Sequence, residues 1–138
     1  MGRVINPDSA GKLRTQLSKA VVLALRELMK QTDQDDYTRD LAAFIGFALV
    51  EIGNSVEVSV LAWEKRGYWV KADRFRLDWE WSGLLGKSIL QALLDDDWAK
   101  IAQSMPKVAQ KLGKITVAVR NRMGTPWEGA WDKLMDQR

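Results

Sequence analysis

Four aspartates crowd between positions 33 and 40 (Asp33, Asp35, Asp36, Asp40), and three more are consecutive at Asp95, Asp96 and Asp97. Clustered carboxylates are how a chain holds calcium or magnesium, so their spacing decides the chemistry. An EF-hand loop opening at Asp33 needs glycine at its sixth position and a bidentate glutamate at its twelfth, where this chain has Thr38 and Phe44. Magnesium-dependent helical hydrolases set acid pairs three or four residues apart on facing helices. Here Glu51, Glu57 and Glu64 are six and seven apart, and Asp78 and Glu80 sit on different sides of one helix. Both aspartate clusters therefore predict turn and helix-cap roles.

Among the 138 residues there is no histidine and no cysteine. That excludes serine triads, cysteine nucleophiles, thiolate or histidine metal sites, di-iron Glu-x-x-His bundles and disulfides. A carboxylate-only site is compatible with this composition but not with the acid spacing, and a metal-free arrangement of Arg66, Arg74 or Arg76 with Glu80 is harder to exclude. The expectation is a protein that is not an enzyme and that carries no cofactor and no metal.

The most distinctive stretch is WEKRGYWVKADRFRLDWEW, Trp63 to Trp81, which holds four of the seven tryptophans together with Tyr68 and Phe75. Large rings gain most from leaving water, so this density calls for a core, a partner or a ligand. Trp63, Trp79 and Trp69 read as core anchors, with Arg74 and Arg76 stacking on rings or pairing with Asp73, Asp78 and Glu80. Trp81 reads as an interface hot spot.

Charge is uneven along the chain although the net value is only +3. Residues 1–31 and 99–138 are basic, and the stretch between them is acidic. Lys12, Lys19, Arg26 and Lys30 fall on one side of the first helix, and Lys100, Lys107, Lys111 and Lys114 on one side of the fourth. Two explanations compete: attraction between neighbouring elements, or two basic ends meeting as an anion-binding face. With Arg120, Arg122, Trp127 and Trp131 added, such a face could follow a phosphate backbone while rings stack on bases.

These residues need elements to carry them. Asn6, Pro7 and Asp8 give an N-cap, a first-turn proline and a first-turn acid for a helix over 8–31, with Leu13, Leu17, Val21, Ala24 and Leu28 as its stripe. A second helix over 36–65 has a core stripe of Leu41, Ile45, Ala48, Ile52, Val56 and Trp63. It also has a strip of small residues, Ala43, Gly46, Val50, Gly53 and Asn54, that admits a close backbone. Gly67 ends it.

A third helix over 69–94 carries two stripes on opposite sides. One is Tyr68, Ala72, Phe75, Trp79, Ser82, Gly86, Ile89 and Leu93; the other is Val70, Leu77, Trp81, Leu84 and Leu85. A fourth helix over 97–112, kinked or split at Pro106, has Trp98, Ile101, Ala102, Met105, Val108, Ala109 and Leu112 inward. An extended crossing over 114–122 follows, then a short helix over 126–136 opened by the capping box Thr125 to Glu128.

The predicted fold is all-α: a four-helix up-and-down bundle with a short C-terminal fifth helix, in one domain over 1–138. Its second stripe on helix 3 implies a scaffold that self-associates, a dimer being favoured, or docks to a protein partner. The alternative is a basic helical subunit binding RNA or DNA without sequence specificity. The longest near-apolar runs, Ala20 to Leu25 and Leu41 to Val50, fall short of the ~18 residues of a bilayer span. Position 6 is Asn where a myristoylation signal wants Ser or Thr. A cytoplasmic protein without a membrane role is expected.

Overall fold

The computed structural model describes residues 7–138, with side chains from Ser9 onward, so the Asn6 cap lies outside the described residues. Among these residues it has five helices and no strand: α1 (Pro7–Leu28), α2 (Asp36–Lys65), α3 (Trp69–Leu94), α4 (Trp98–Lys111) and α5 (Ala130–Gln137). α2 is central, with α1 and α3 packed on it along their lengths; α4 lies against α3 and touches α1, and α5 rests on α2. This is an all-α up-and-down bundle with a short C-terminal fifth helix.

The helix ends follow local chemistry. At the start of α2 the Asp35 carboxylate accepts hydrogen bonds from the Thr38 backbone N–H (2.9 Å) and from the Thr38 hydroxyl (2.8 Å), satisfying a donor that the first turn leaves unpaired. Asp97 does the same for the Lys100 N–H at 3.1 Å, and Gly67 closes α2 at φ 82, a left-handed conformation natural only to glycine. α1 ends at Leu28 rather than 31 because Lys30 and Gln31 donate to carbonyls only three residues back, which tightens the chain into a turn. α4 runs from Trp98 to Lys111 as one helix through Pro106, neither split there nor reaching 97 and 112, which act as its caps.

The Thr125 hydrogen-bond pattern does not open the last helix as its capping box predicts. Glu128 N–H donates to the Thr125 carbonyl in a turn, Gly129 takes φ 81, and α5 begins only at Ala130. Its first free N–H groups are met from outside the segment: the Asp40 carboxylate on α2 accepts from Trp131 N–H at 2.8 Å and Gly129 N–H at 3.3 Å.

The Thr38 bonds, backbone first and then hydroxyl, hold the Asp35 carboxyl below its ordinary value of 3.8. A carboxyl depressed in the folded state contributes stability that is complete above the unfolded value and is lost as pH falls through the folded one. Asn caps equally well and does not titrate. Between about pH 4 and pH 2 the unfolding temperature of Asp35→Asn should therefore fall less than that of the wild type. Parallel acid melts by circular dichroism would read this, and identical slopes would refute the cap's role.

The core runs through the middle of α2, where Leu41, Ile45, Leu49 and Ile52 are inaccessible to solvent, against Val21 of α1, Ile89 of α3 and Val108 of α4. On α4, Ala102 and Ala109 face solvent instead of joining Ile101, Met105, Val108 and Leu112 inside. The small-residue strip of α2 meets its counterpart on α3. A Cβ on Gly46 would lie 2.7 Å from the Leu90 side chain, and one on Gly86 would lie 2.8 Å from the Gly46 carbonyl oxygen and 2.9 Å from the Val50 nitrogen. Glycine at these positions lets the two backbones touch, a contact that offsets the poor helix propensity of the residue.

α2 is also long and apolar enough to cross a membrane by length and composition, with a mean hydropathy of 1.6 over its best window, 56% of which is buried within the bundle. Small and polar residues interrupt its apolar runs, which is why a search for unbroken runs passes over it. Its place between α1, α3 and α5 accounts for that apolarity as core packing.

Candidate functional site

α3 is continuous through Gly83 and Gly86, so its two stripes do point apart. Ala72, Ser82, Gly86, Ile89 and Leu93 of the first are buried, with Phe75 and Trp79 half-buried beside them and Tyr68 exposed at the helix start. Of the second, Val70, Leu77 and Leu84 are open to solvent, with exposures of 76%, 68% and 69%. They recur at every seventh position, so a drift of only ~20° per repeat keeps them in one line along the helix. At 1.5 Å per residue that line is ~21 Å long.

Trp81 and Leu85 behave differently. Both are half-buried against the chain's own core, and the Trp81 ring stacks on Trp79 at 6.1 Å between centroids and 22° between planes. A helical wheel sets these two residues on opposite sides. Long aromatic side chains escape that rule because their rings swing along the helix surface. Trp81 is thus partly a core residue, and the open seam consists of the three aliphatic positions.

Where the seam begins, the α2–α3 turn presents Tyr68 and Trp69, the latter 59% exposed and not the core anchor that its neighbourhood predicts. Together with Gly67, Val70 and Lys71 they line a shallow, open recess. Trp63 is half-buried, edge-on to Phe75 at 4.9 Å, with the Lys71 ammonium 4.5 Å over its ring.

The guanidinium that lies on the aromatic cluster is that of Arg14, not of Arg74 or Arg76. Its guanidinium lies 4.7 Å over Phe75 and 6.0 Å from Trp79, and donates to Ser55 Oγ at 3.2 Å and Ser59 Oγ at 3.5 Å. Burial lowers its pKa below the ordinary guanidinium range. Sequence reasoning passed over Arg14. The available signal was the line Ala10, Arg14, Ser18, Val21, in which small residues on either side leave room for one long side chain between α1 and α3. Arg76 pairs with Asp73 at 3.7 Å, one of the partners its sequence neighbourhood predicts, and also bridges α3 to α2, in a two-bond pair with Glu57 (3.1 and 3.4 Å) and with Glu64 at 3.8 Å.

The basic residues divide. Lys12, Lys19, Lys100, Lys107, Lys111, Lys114, Arg120 and Arg122 are all exposed. Lys30 is paired with Glu27 at 3.3 Å. Arg26 is half-buried and donates to the Val117 carbonyl at 3.1 Å, tying the crossing segment onto α1. Neither C-terminal tryptophan is free to stack on a base: Trp127 is 3% exposed, and Trp131 packs on the core beneath the Arg39 guanidinium at 5.7 Å.

Among the described residues no three carboxylates converge in a way that would hold a metal. Arg76 and Glu80 share a groove with Asn54, Glu57 and Lys87, yet Arg76 is already committed to Glu57 within it. What the arrangement offers is contact surface: an apolar line on α3 and a cationic surface on α1, α4 and the crossing segment. Comparison with protein-family models, characterised protein sequences and solved structures gives no match to this chain.

Proposed function

We propose that the protein is a non-catalytic helical scaffold that self-associates through α3, with Val70, Leu77 and Leu84 at the centre of the contact and Trp69, Trp81 and Leu85 at its margin. The observation that carries this reading is the solvent exposure of the three aliphatic residues on a continuous helix. Exposed aliphatics scattered singly need no explanation, whereas an aligned row with a seven-residue period is the pattern by which two helices pair. Evenly spaced about Leu77, the row is self-complementary: an antiparallel copy sets Val70 against Leu84 and Leu77 against itself, and a parallel copy sets each residue against its equivalent. Two-fold contacts of that kind are the commonest way for a protein to oligomerise.

Trp81→Ala is a poor test because it removes a ring stacked in the core. Leu77→Glu/Leu84→Glu alters only exposed positions. The wild type should scatter light with twice the mass of a single 15.7 kDa chain and the double variant with that of one chain, at unchanged helicity. A wild type that stays single at high micromolar concentration would remove the proposal.

A further inference from the structure

Two stretches of the chain carry no carboxylate at all. From Ser9 to Arg26 there are four cations, Lys12, Arg14, Lys19 and Arg26, and from Trp98 to Trp127 there are six, Lys100, Lys107, Lys111, Lys114, Arg120 and Arg122. They are far apart in sequence, but the fold joins them. α4 touches α1, and Arg26 grips the crossing segment through the Val117 carbonyl, ninety-one residues away. Arg26 therefore marks where the lysine row of α1, Lys12 and Lys19 on the same helical line, runs into the chain that leaves α4. Eight exposed cations occupy these elements, and among the described residues no carboxylate pairs with any of them. Of the acids beside these stretches in sequence, Glu27 is paired with Lys30 at 3.3 Å and Asp96 with Arg39 at 3.9 Å, while Asp97 caps α4.

What this surface lacks identifies its partner. Single-stranded nucleic acid is held by rings that stack on bases, and the aromatics here are occupied: Trp127 is buried, Trp131 lies under Arg39, and the indole N–H of half-buried Trp98 donates to Asp96 at 2.9 Å. A membrane surface is held by apolar residues inserted below a basic rim, yet Ile101, Met105, Val108 and Leu112 of α4 point into the bundle, and Val119 is the one large exposed apolar residue of the crossing segment. A protein interface would need a cluster of aromatic or aliphatic anchors at its centre, and here Val119 stands alone. Charge without rings or grease matches a regular array of phosphates whose bases are already stacked. We infer that α1, α4 and the crossing segment bind the phosphate backbone of double-stranded nucleic acid, without regard to sequence.

The inference is independent of α3, which contributes none of these cations. Its test is fluorescence anisotropy with short labelled DNA duplexes of two unrelated sequences, their separated strands, and vesicles of phosphatidylserine and phosphatidylcholine. Both duplexes should bind equally and more tightly than the strands or the vesicles. Engagement of about four phosphates predicts roughly a hundredfold loss of affinity between about 50 and 200 mM salt. Lys107→Glu/Lys111→Glu/Arg120→Glu, all at exposed positions, should lose duplex binding at least tenfold with helicity and mass unchanged. Tighter binding to single strands or vesicles, a charge-reversed variant that binds like the wild type, or no salt-sensitive binding at micromolar protein would each overturn it. A doubled mass without duplex binding would sink this inference and leave the α3 contact standing.

Discussion

Gly86→Ala should lower the stability of the bundle by about 1–3 kcal/mol, although alanine is the better helix former. The added methyl would sit 2.8 Å from the Gly46 carbonyl oxygen and 2.9 Å from the Val50 nitrogen, both backbone atoms that cannot rotate away. α2 and α3 would have to separate along the longest contact in the molecule. Three residues earlier, a Cβ on Gly83 meets nothing within 4 Å. Gly83→Ala should therefore raise stability by up to ~1 kcal/mol, the ordinary gain in helix propensity. Each variant adds one methyl, the two sites lying three residues apart on the same helix. Urea denaturation followed by circular dichroism measures both, and equal effects would mean that the helices do not cross at Gly46 and Gly86.

Trp127→Ala should cost about 3–5 kcal/mol, a large share of the 5–15 kcal/mol by which a domain of this kind is stable. The indole is 3% exposed and belongs to the main core, next to Ala130 and Leu134 of α5. Removing it takes away the anchor that carries the chain from the crossing segment into α5, leaving the helix to Leu134, Trp131 and the two backbone bonds from Asp40. Trp127→Phe should lose less than half as much, because the indole N–H has no hydrogen-bond partner among the described residues and its removal forfeits no bond. The ratio of the two losses, read from unfolding free energies, separates packing from polar contributions. A Phe variant as weak as the Ala variant would contradict this account.

How far the residues announce the structure depends on whether a feature is set locally. α2 and α3 have the predicted limits, 36–65 and 69–94, because an aspartate cap and a left-handed glycine define those ends within a few residues. The close approach of α2 to α3 was legible for a related reason: mid-helix glycines are costly unless a neighbouring backbone occupies the space. The last helix was misplaced because Thr125, Pro126 and Glu128 carry a complete start signal, and only the tertiary bonds from Asp40 show that the chain turns once more at Gly129. Of the α3 seam, Val70, Leu77 and Leu84 were identified by periodicity, while Trp81 and Leu85 were not separable from them. Periodicity gives the direction of a Cα–Cβ bond and says little about where a nine-atom ring comes to rest. For Arg14 the small neighbours on its helical line mark the space, but not which rings the distant guanidinium reaches.

The pairing of α3 with a second copy is the central claim, and the absence of native cysteine allows a direct measurement. Both two-fold arrangements bring Leu77 against its equivalent, and a disulfide needs a Cα separation of only ~4.4–6.8 Å, so a cysteine there reports directly on the contact. Under mild oxidation Leu77→Cys should become a covalent dimer on a non-reducing gel. Ala102→Cys, exposed on the cationic side of α4, should remain a single chain. If Leu77→Cys stays uncrosslinked, or crosslinks no faster than Ala102→Cys, the α3 seam is not where this protein meets itself.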